Sequence, residues 1–362
     1  MKKLISRGAV ILLAVLQVFS FASCKASEKS KFSAYYFDYF DTATTIVGYE
    51  NSKEEFDAVC VEIEALLKEY HRLFTIYNRY ENLNNLVTIN DVDEGKHSVV
   101  NVDRKIIDML LFAKDIYNRT DGKVNIAMGS VLSIWHVYRN EGLDDPYNAQ
   151  LPPMEKLKEA SKHTDINNLI IDEENSTVYI ADPQMKLDVG AIAKGYAVEK
   201  VAEYLIEKGV TDYILNVGGN IRTIGNAGKE DSPFKIGIEN PDTDNEEKPY
   251  IEYLKVSGLS VVTSGSYQRY YIVNGENYHH IIDPETLMPG TKYKSVSVLT
   301  DDSGLGDAFS TALFLMSYED GLALVENTDN VEAMWVMPDG EQRYSSGFKA
   351  YTFDYEAEQQ AK

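Results

Sequence analysis

A chain of 362 residues, 44% hydrophobic and 25% charged, is long enough to bury one large core or two modest ones. Its 57 acidic residues against 35 basic ones leave a net charge of −22. That field repels nucleic acid, and no Lys/Arg-rich patch of the kind a phosphate backbone requires interrupts it.

The chain opens with Lys2, Lys3 and Arg7 ahead of an apolar stretch from Ala9 to Phe19, too short for a span that needs about 20 residues. This reads as an export signal over residues 1–23. It ends in Phe21-Ala22-Ser23-Cys24, which resembles a bacterial lipobox with Cys24 as the acylated residue and Phe21 in place of the usual Leu. The expectation is an extracytoplasmic, membrane-anchored lipoprotein, with a polar tether over 24–34 and one domain over 35–355. Losing residues 1–23 removes three positive charges and takes the net charge from −22 to −25. With Cys24 acylated, Cys60 has no partner for an internal disulfide, so stability must come from the core.

Residues 37–49 read as a strand, and Lys53 to Leu73 carries apolar residues at a helical period. A second helix covers Arg104 to Asn118 and breaks at Gly122. A third is expected over Met154 to Lys162, followed by two short strands within Asn168 to Ala181 around an acidic turn. In LDVGAIAKGYAVEKV, Leu187-Asp-Val ends a strand, Gly190 turns the chain, and Ile192 to Lys208 runs as a helix closed by Gly209. The run from Tyr213 to Leu299 is strand after strand, with turns at Gly218-Gly219 and Asn274-Gly275. Helices return at Leu305 to Met316 and Asp320 to Asn327, and strands at 332–337 and 341–345 close the chain. The class is α+β: a mixed, strand-rich single large domain.

Several groups of residues carry chemistry, each with a plainer structural reading beside it. Lys194 in the first turn of a helix after Gly190 makes an anion seat, or is simply a solvated lysine behind a turn. Asp307 and Thr311, four apart on one helical face, offer two hard oxygens suited to Mg²⁺ rather than zinc, or a surface charge and a cap. His279 and His280 alternate across a strand, so one is buried and the other free. Asn216-Val-Gly-Gly-Asn220 allows close backbone approach, as a β-bulge also would. Ser264 to Tyr271 reads as an aromatic-rich strand start.

The order of these segments is more specific than any one of them. LDVGAIAKGYAVEKV, ILNVGGNIRTIG, TSGSYQRYY, HHIIDPETLMPG and DAFSTALF together resemble the ApbE-type flavin transferase family, FAD:protein FMN transferases, over nearly the whole chain after the signal. Upstream, FDTATTIVGY and LFTIYNRYENLNNL match the family's first strand and its Phe-Ser-x-Tyr segment. TDGKVNIAMGSVLSIW resembles its flavin-facing Gly-x-Phe-Asp-Pro region, with Asn125 where Asp is usual and Ile126 in place of Pro.

The resemblance implies a T-fold-like arrangement of layered sheets with packed helices, and a reaction. FAD, as substrate, is split at its pyrophosphate; FMN passes to a Thr or Ser hydroxyl of an acceptor protein and AMP leaves. It implies Mg²⁺ held by the backbone carbonyl of Ala191 with the side chains of Asp307 and Thr311, with Ser310 where some members supply another acid. His280 is the expected general base, with Asp307 as an alternative through the metal shell. Phe40, Tyr77, Lys123, Val124, Asn125, Asp188, Lys194 and Ile281 match positions that line the FAD site. Acceptors carry Asp-Gly-x-(Ser/Thr)-Gly-Ala-(Ser/Thr); Asp121-Gly122-Lys123-Val124 fails at the hydroxyl, so the acceptor is another chain, expected to be a subunit of a membrane redox complex. A Mg²⁺-dependent FAD pyrophosphatase giving free FMN, a non-catalytic flavin-binding lipoprotein, and a lipid-anchored solute-binding protein are the competing readings.

Overall fold

The structure, a computed structural model, describes residues 29–91 and 98–353. Cys24, the signal segment, the first part of the tether and the domain limit at 355 lie outside the described residues. In chain order, β1 (Ser30–Tyr39) and β2 (Thr42–Glu50) lead into α1 (Lys53–Phe74), α2 (Leu86–Asn90), β3 (Val100–Asn101), α3 (Arg104–Arg119), α4 (Gly129–Asp144) and α5 (Met154–Ala160). Then come β4 (Leu169–Asp172), β5 (Thr177–Ile180), α6 (Ala193–Glu207), β6 (Tyr213–Val217), β7 (Asn220–Ile224), β8 (Phe234–Glu239), β9 (Tyr250–Val256) and β10 (Ser260–Gly265). The chain finishes with β11 (Tyr270–Val273), β12 (Glu276–His279), β13 (Ser295–Thr300), α7 (Ser303–Leu315), α8 (Tyr318–Glu326), β14 (Val331–Val336) and β15 (Gln342–Tyr344).

The strand expected over 37–49 is instead a hairpin. Phe40 and Asp41 form its two-residue turn, both left-handed at φ 53° and 50°, the backbone of a type I′ connection. That turn is usually announced by Asn-Gly, so Phe-Asp gave no warning of it. β1 also begins at Ser30, inside the segment expected as tether. Two helices carry no clear signal in the sequence: the short α2, and α4, which follows Met128 without a side-chain cap and buries only Gly129, Val131, Trp135 and Gly142. Ser264 and Gly265 end β10 rather than begin a strand, and the next strand starts at Tyr270.

Eight strands form one antiparallel sheet in the order β1-β2-β6-β7-β10-β13-β14-β15. Alternation along the strands splits its side chains between two cores. Val296 and Val298 of β13 with Ala333 and Trp335 of β14 face α1, α3, α6 and α7, while Leu299, Met334 and Val336 face the β8–β9 hairpin. β13 is therefore buried along its whole length. A third cluster, built on Val131 and Trp135 of α4 with Tyr271 and Val273 of β11, forms a small lobe, held also by Trp135 Nε1 donating to the Leu287 carbonyl at 3.0 Å.

One buried ion pair fixes the helices that matter for the site. Glu199 of α6 accepts from Arg222 of β7 through two bonds of 3.0 Å, and also from the Ser303 N–H at the start of α7, 2.7 Å away. Burial raises the Glu199 pKa and Arg222 opposes that rise. Arg222→Leu is expected to cost about 3–5 kcal/mol by urea unfolding, because it strands a buried carboxylate, and the further change Glu199→Leu should recover much of the loss. A single-variant cost below about 1 kcal/mol would show that the pair ties nothing together.

Candidate active site

Between the small lobe and the helical face of the sheet lies a cleft of about 880 Å³. α6, expected over 192–208 and found over 193–207, brings its N-terminus to this cleft and ends as expected: Gly209 is left-handed at φ 79°, and the N–H groups of Gly209 and Val210 bond the carbonyls of Ile206 and Leu205. Gly190 needs no left-handed backbone; its N–H donates to Asp188 Oδ1 at 2.9 Å, and this local turn shapes the entry to the helix.

The anion seat expected at the start of α6 is already filled. Asp307, on α7 and only 4% exposed, accepts from the Gly195 N–H at 2.8 Å and sits 3.3 Å from Lys194 Nζ through both oxygens. It caps α6 from a neighbouring helix, satisfying an orphan donor and meeting the positive end of the dipole. Only a glycine at 195 permits this approach, since a Cβ there would collide with the Ser303 carbonyl oxygen and Asp307 Cβ. Thr311, one turn along α7, lines the same cleft, as does Ala191. A carboxylate, a hydroxyl and a carbonyl are hard oxygen donors of the kind that hold Mg²⁺ beside substrate phosphates, so the donor set fits that ion. No group of three or more His, Cys, Asp or Glu at metal-binding spacing occurs among the described residues. Ser310 is fully buried and spans from α7 to β10 through Ser264 Oγ at 2.8 Å, away from the cleft surface.

His279 and His280 separate as alternation requires. His279 is buried, its Nε2 donating to the Gly290 carbonyl at 2.7 Å and its Nδ1 accepting from the Ile281 N–H at 3.2 Å. His280 follows β12 and lines the cleft, with Nδ1 3.3 Å from the Arg269 carbonyl. A carbonyl only accepts, so Nδ1 carries the proton and Nε2 keeps its lone pair. His280 is exposed at the cleft wall, with protein packed densely behind its ring. Burial first, then the charges of Arg269, His279 and Lys194, push its pKa down to about 3.

The remaining residues expected at the FAD site all line this one cleft: Phe40, Tyr77, Lys123, Val124, Asn125, Asp188 and Ile281. Phe40 is held in its turn by donating its N–H to His71 Nδ1 at 3.1 Å. Lys123 is paired with Glu285 at 2.7 Å and Asp283 at 3.5 Å. Asn125 spends its amide on the Thr164 carbonyl and the Ala127 N–H, both at 2.9 Å, so it shapes the wall. Tyr77 lies 3.4 Å from His136 Nδ1, and His136 Nε2 is 3.8 Å from Asp188.

Sequence reasoning missed His71, His136, Arg139, Asn220 and Arg269, which line the cleft beside the expected residues. Asn220, 2% exposed, keeps a side-chain N–H with no partner among the described residues. Arg269 and Asn220 lay inside segments already singled out; His136 and Arg139 sit on the unread α4. Four cations and three carboxylates line this cleft, and one of the cations, Lys123, is already paired with Asp283 and Glu285.

A profile describing the ApbE family matches residues 40–335. The chain belongs to the ApbE family. A FAD:protein FMN transferase of Klebsiella pneumoniae is 31% identical over 304 residues, 79% of this chain and 90% of that one. One of Treponema pallidum is 30% identical over 305 residues, covering 79% and 81%. The ApbE protein of Thermotoga maritima superposes with a TM-score of 0.75 at 28% identity over 89% of this chain and 99% of its own. The flavin transferase ApbE of Vibrio cholerae, 24% identical with a TM-score of 0.73, shares the fold. The α+β, strand-rich single domain expected from the sequence is therefore the family's fold, and the chain is an enzyme. An all-antiparallel main sheet also removes the solute-binding reading, which calls for alternating βα units.

Proposed function

We propose that this enzyme transfers the FMN moiety of FAD to a Ser or Thr hydroxyl of an acceptor protein and releases AMP. The observation that carries the reading is the one cleft that collects His280, the Lys194–Asp307 pair and every expected flavin-lining residue. Neutral His280 takes the acceptor's hydroxyl proton at Nε2. The hydroxyl oxygen forms a bond to the phosphorus on the riboflavin side, the bridging P–O bond breaks, and AMP leaves with the bridging oxygen. Ala191, Asp307 and Thr311 would hold Mg²⁺, which would supply charge neutralisation at the pyrophosphate. The enzyme acts outside the cytoplasm, anchored through Cys24, on an acceptor carrying Asp-Gly-x-(Ser/Thr)-Gly-Ala-(Ser/Thr) in a membrane redox complex.

The test is incubation with FAD, Mg²⁺ and a protein bearing that motif, followed by mass spectrometry. The acceptor should gain one FMN less one water, with AMP in equal amount. Free FMN with unmodified acceptor would favour a pyrophosphatase, and tight FAD binding without AMP a carrier.

A pH dependence follows from His280. In the free enzyme its pKa is depressed by the protein packed around the ring and by Arg269 and Lys194. The pyrophosphate opposes those two charges, so the pKa rises in the complex. Because kcat/KM reports the free enzyme and kcat the complex, the acid limb of kcat should lie at higher pH than that of kcat/KM for FAD. Coincident limbs near the ordinary histidine value of about 6.5 would remove His280 as the titrating base.

A further inference from the structure

The cations that line the cleft are not equivalent. Lys194 is held by Asp307, and Lys123 by Glu285 and Asp283. Arg139 of α4 bonds only the side-chain oxygen of its neighbour Asn140, at 3.4 Å, and its Nε is buried without a partner. Arg269, on the loop between β10 and β11, donates only to the Asp41 carbonyl, at 3.3 Å. Neither guanidinium has a carboxylate partner among the described residues. They also share a neighbourhood. His136 is depressed chiefly by burial; Asp188 opposes this, and Arg139 and Arg269 both add to it, so both charges act on one imidazole.

Arg139 is half-buried and Arg269 exposed, so both keep donors open to a ligand in the cleft, and the guanidinium fork matches phosphoryl oxygens better than a lysine does. A pyrophosphate diester carries two negative charges and offers oxygens to both forks. The geometry points to Arg139 and Arg269 as the clamp for the pyrophosphate of the dinucleotide substrate, with Lys194 serving as the partner that holds Asp307. This rests on the reading of FAD as substrate. It makes the small lobe, through α4, one jaw of the phosphate site and the β10–β11 loop the other.

Equilibrium binding tests it with Arg139→Gln, Arg269→Gln and the double variant, using FAD, FMN, AMP, riboflavin and inorganic pyrophosphate as probes. Each single change should weaken FAD about tenfold to a hundredfold, the range for losing a hydrogen bond to a charged group. FMN and AMP will show which phosphate each arginine holds. Riboflavin, which has no phosphate, should bind all forms equally, and Arg139→Lys should recover part of the FAD affinity. Unchanged FAD affinity in the double variant, or an equal loss for riboflavin, would overturn the clamp. If the wild type bound no FAD, the proposed activity would fall, while loss of pyrophosphate binding in the double variant would still support the clamp and unaltered pyrophosphate binding would refute it.

Discussion

His280→Asn is expected to lower kcat by about 10²–10⁴-fold while leaving FAD affinity little changed, the range for losing a general base. The neighbours of the ring set its role. The Arg269 carbonyl takes the Nδ1 proton, which leaves Nε2 facing the cleft as the acceptor. His279→Asn serves as the control with the opposite signature. That ring bridges the Gly290 carbonyl and the Ile281 N–H inside the core and packs edge-on against Phe314 with centroids 5.5 Å apart. Its loss should lower stability by about 1–3 kcal/mol, through unmet buried groups, with a far smaller effect on the rate of the folded enzyme. The experiment is a pair of measurements on each variant, thermal midpoint and single-turnover rate. A rate loss that tracks His279 and spares His280 would assign the base to the wrong ring.

Asp307→Ala should reduce Mg²⁺-dependent turnover by at least about 10²–10³-fold, as for removal of a group that stabilises transition-state charge. It should also destabilise the fold, because the carboxylate caps α6 at Gly195 and neutralises Lys194. Losing a cap costs about 0.5–2 kcal/mol. Asp307→Asn separates the two roles. The amide oxygen can still accept from the Gly195 N–H, so unfolding should lie closer to wild type than that of Asp307→Ala, with only the Lys194 charge pairing lost, while the charge needed beside the phosphates is gone. Full activity of Asp307→Asn, or turnover that persists in excess EDTA, would rule out the metal role.

Elements whose signals are local were legible in the chain alone. The apolar periods of α1 and α3, the Gly209 stop of α6 and the turns at Gly218-Gly219 and Asn274-Gly275 each span a few residues, and each is found within about two residues of its expected place. The separation of His279 from His280 was equally legible, because a strand alternates faces regardless of what it packs against. Tertiary structure alone decided the rest. That Phe40 takes a left-handed turn depends on the His71 ring, thirty-one positions away in the chain, which accepts its N–H. That the α6 N-terminus receives Asp307 depends on α7 packing close enough to exclude any side chain at Gly195. Arg139 and Arg269 carry no motif of their own; they come to line one cleft only when the small lobe folds against the sheet. Periodicity, caps and turns are written in adjacent residues, whereas the partner of a charge or of an orphan N–H is set by which surfaces the core brings together.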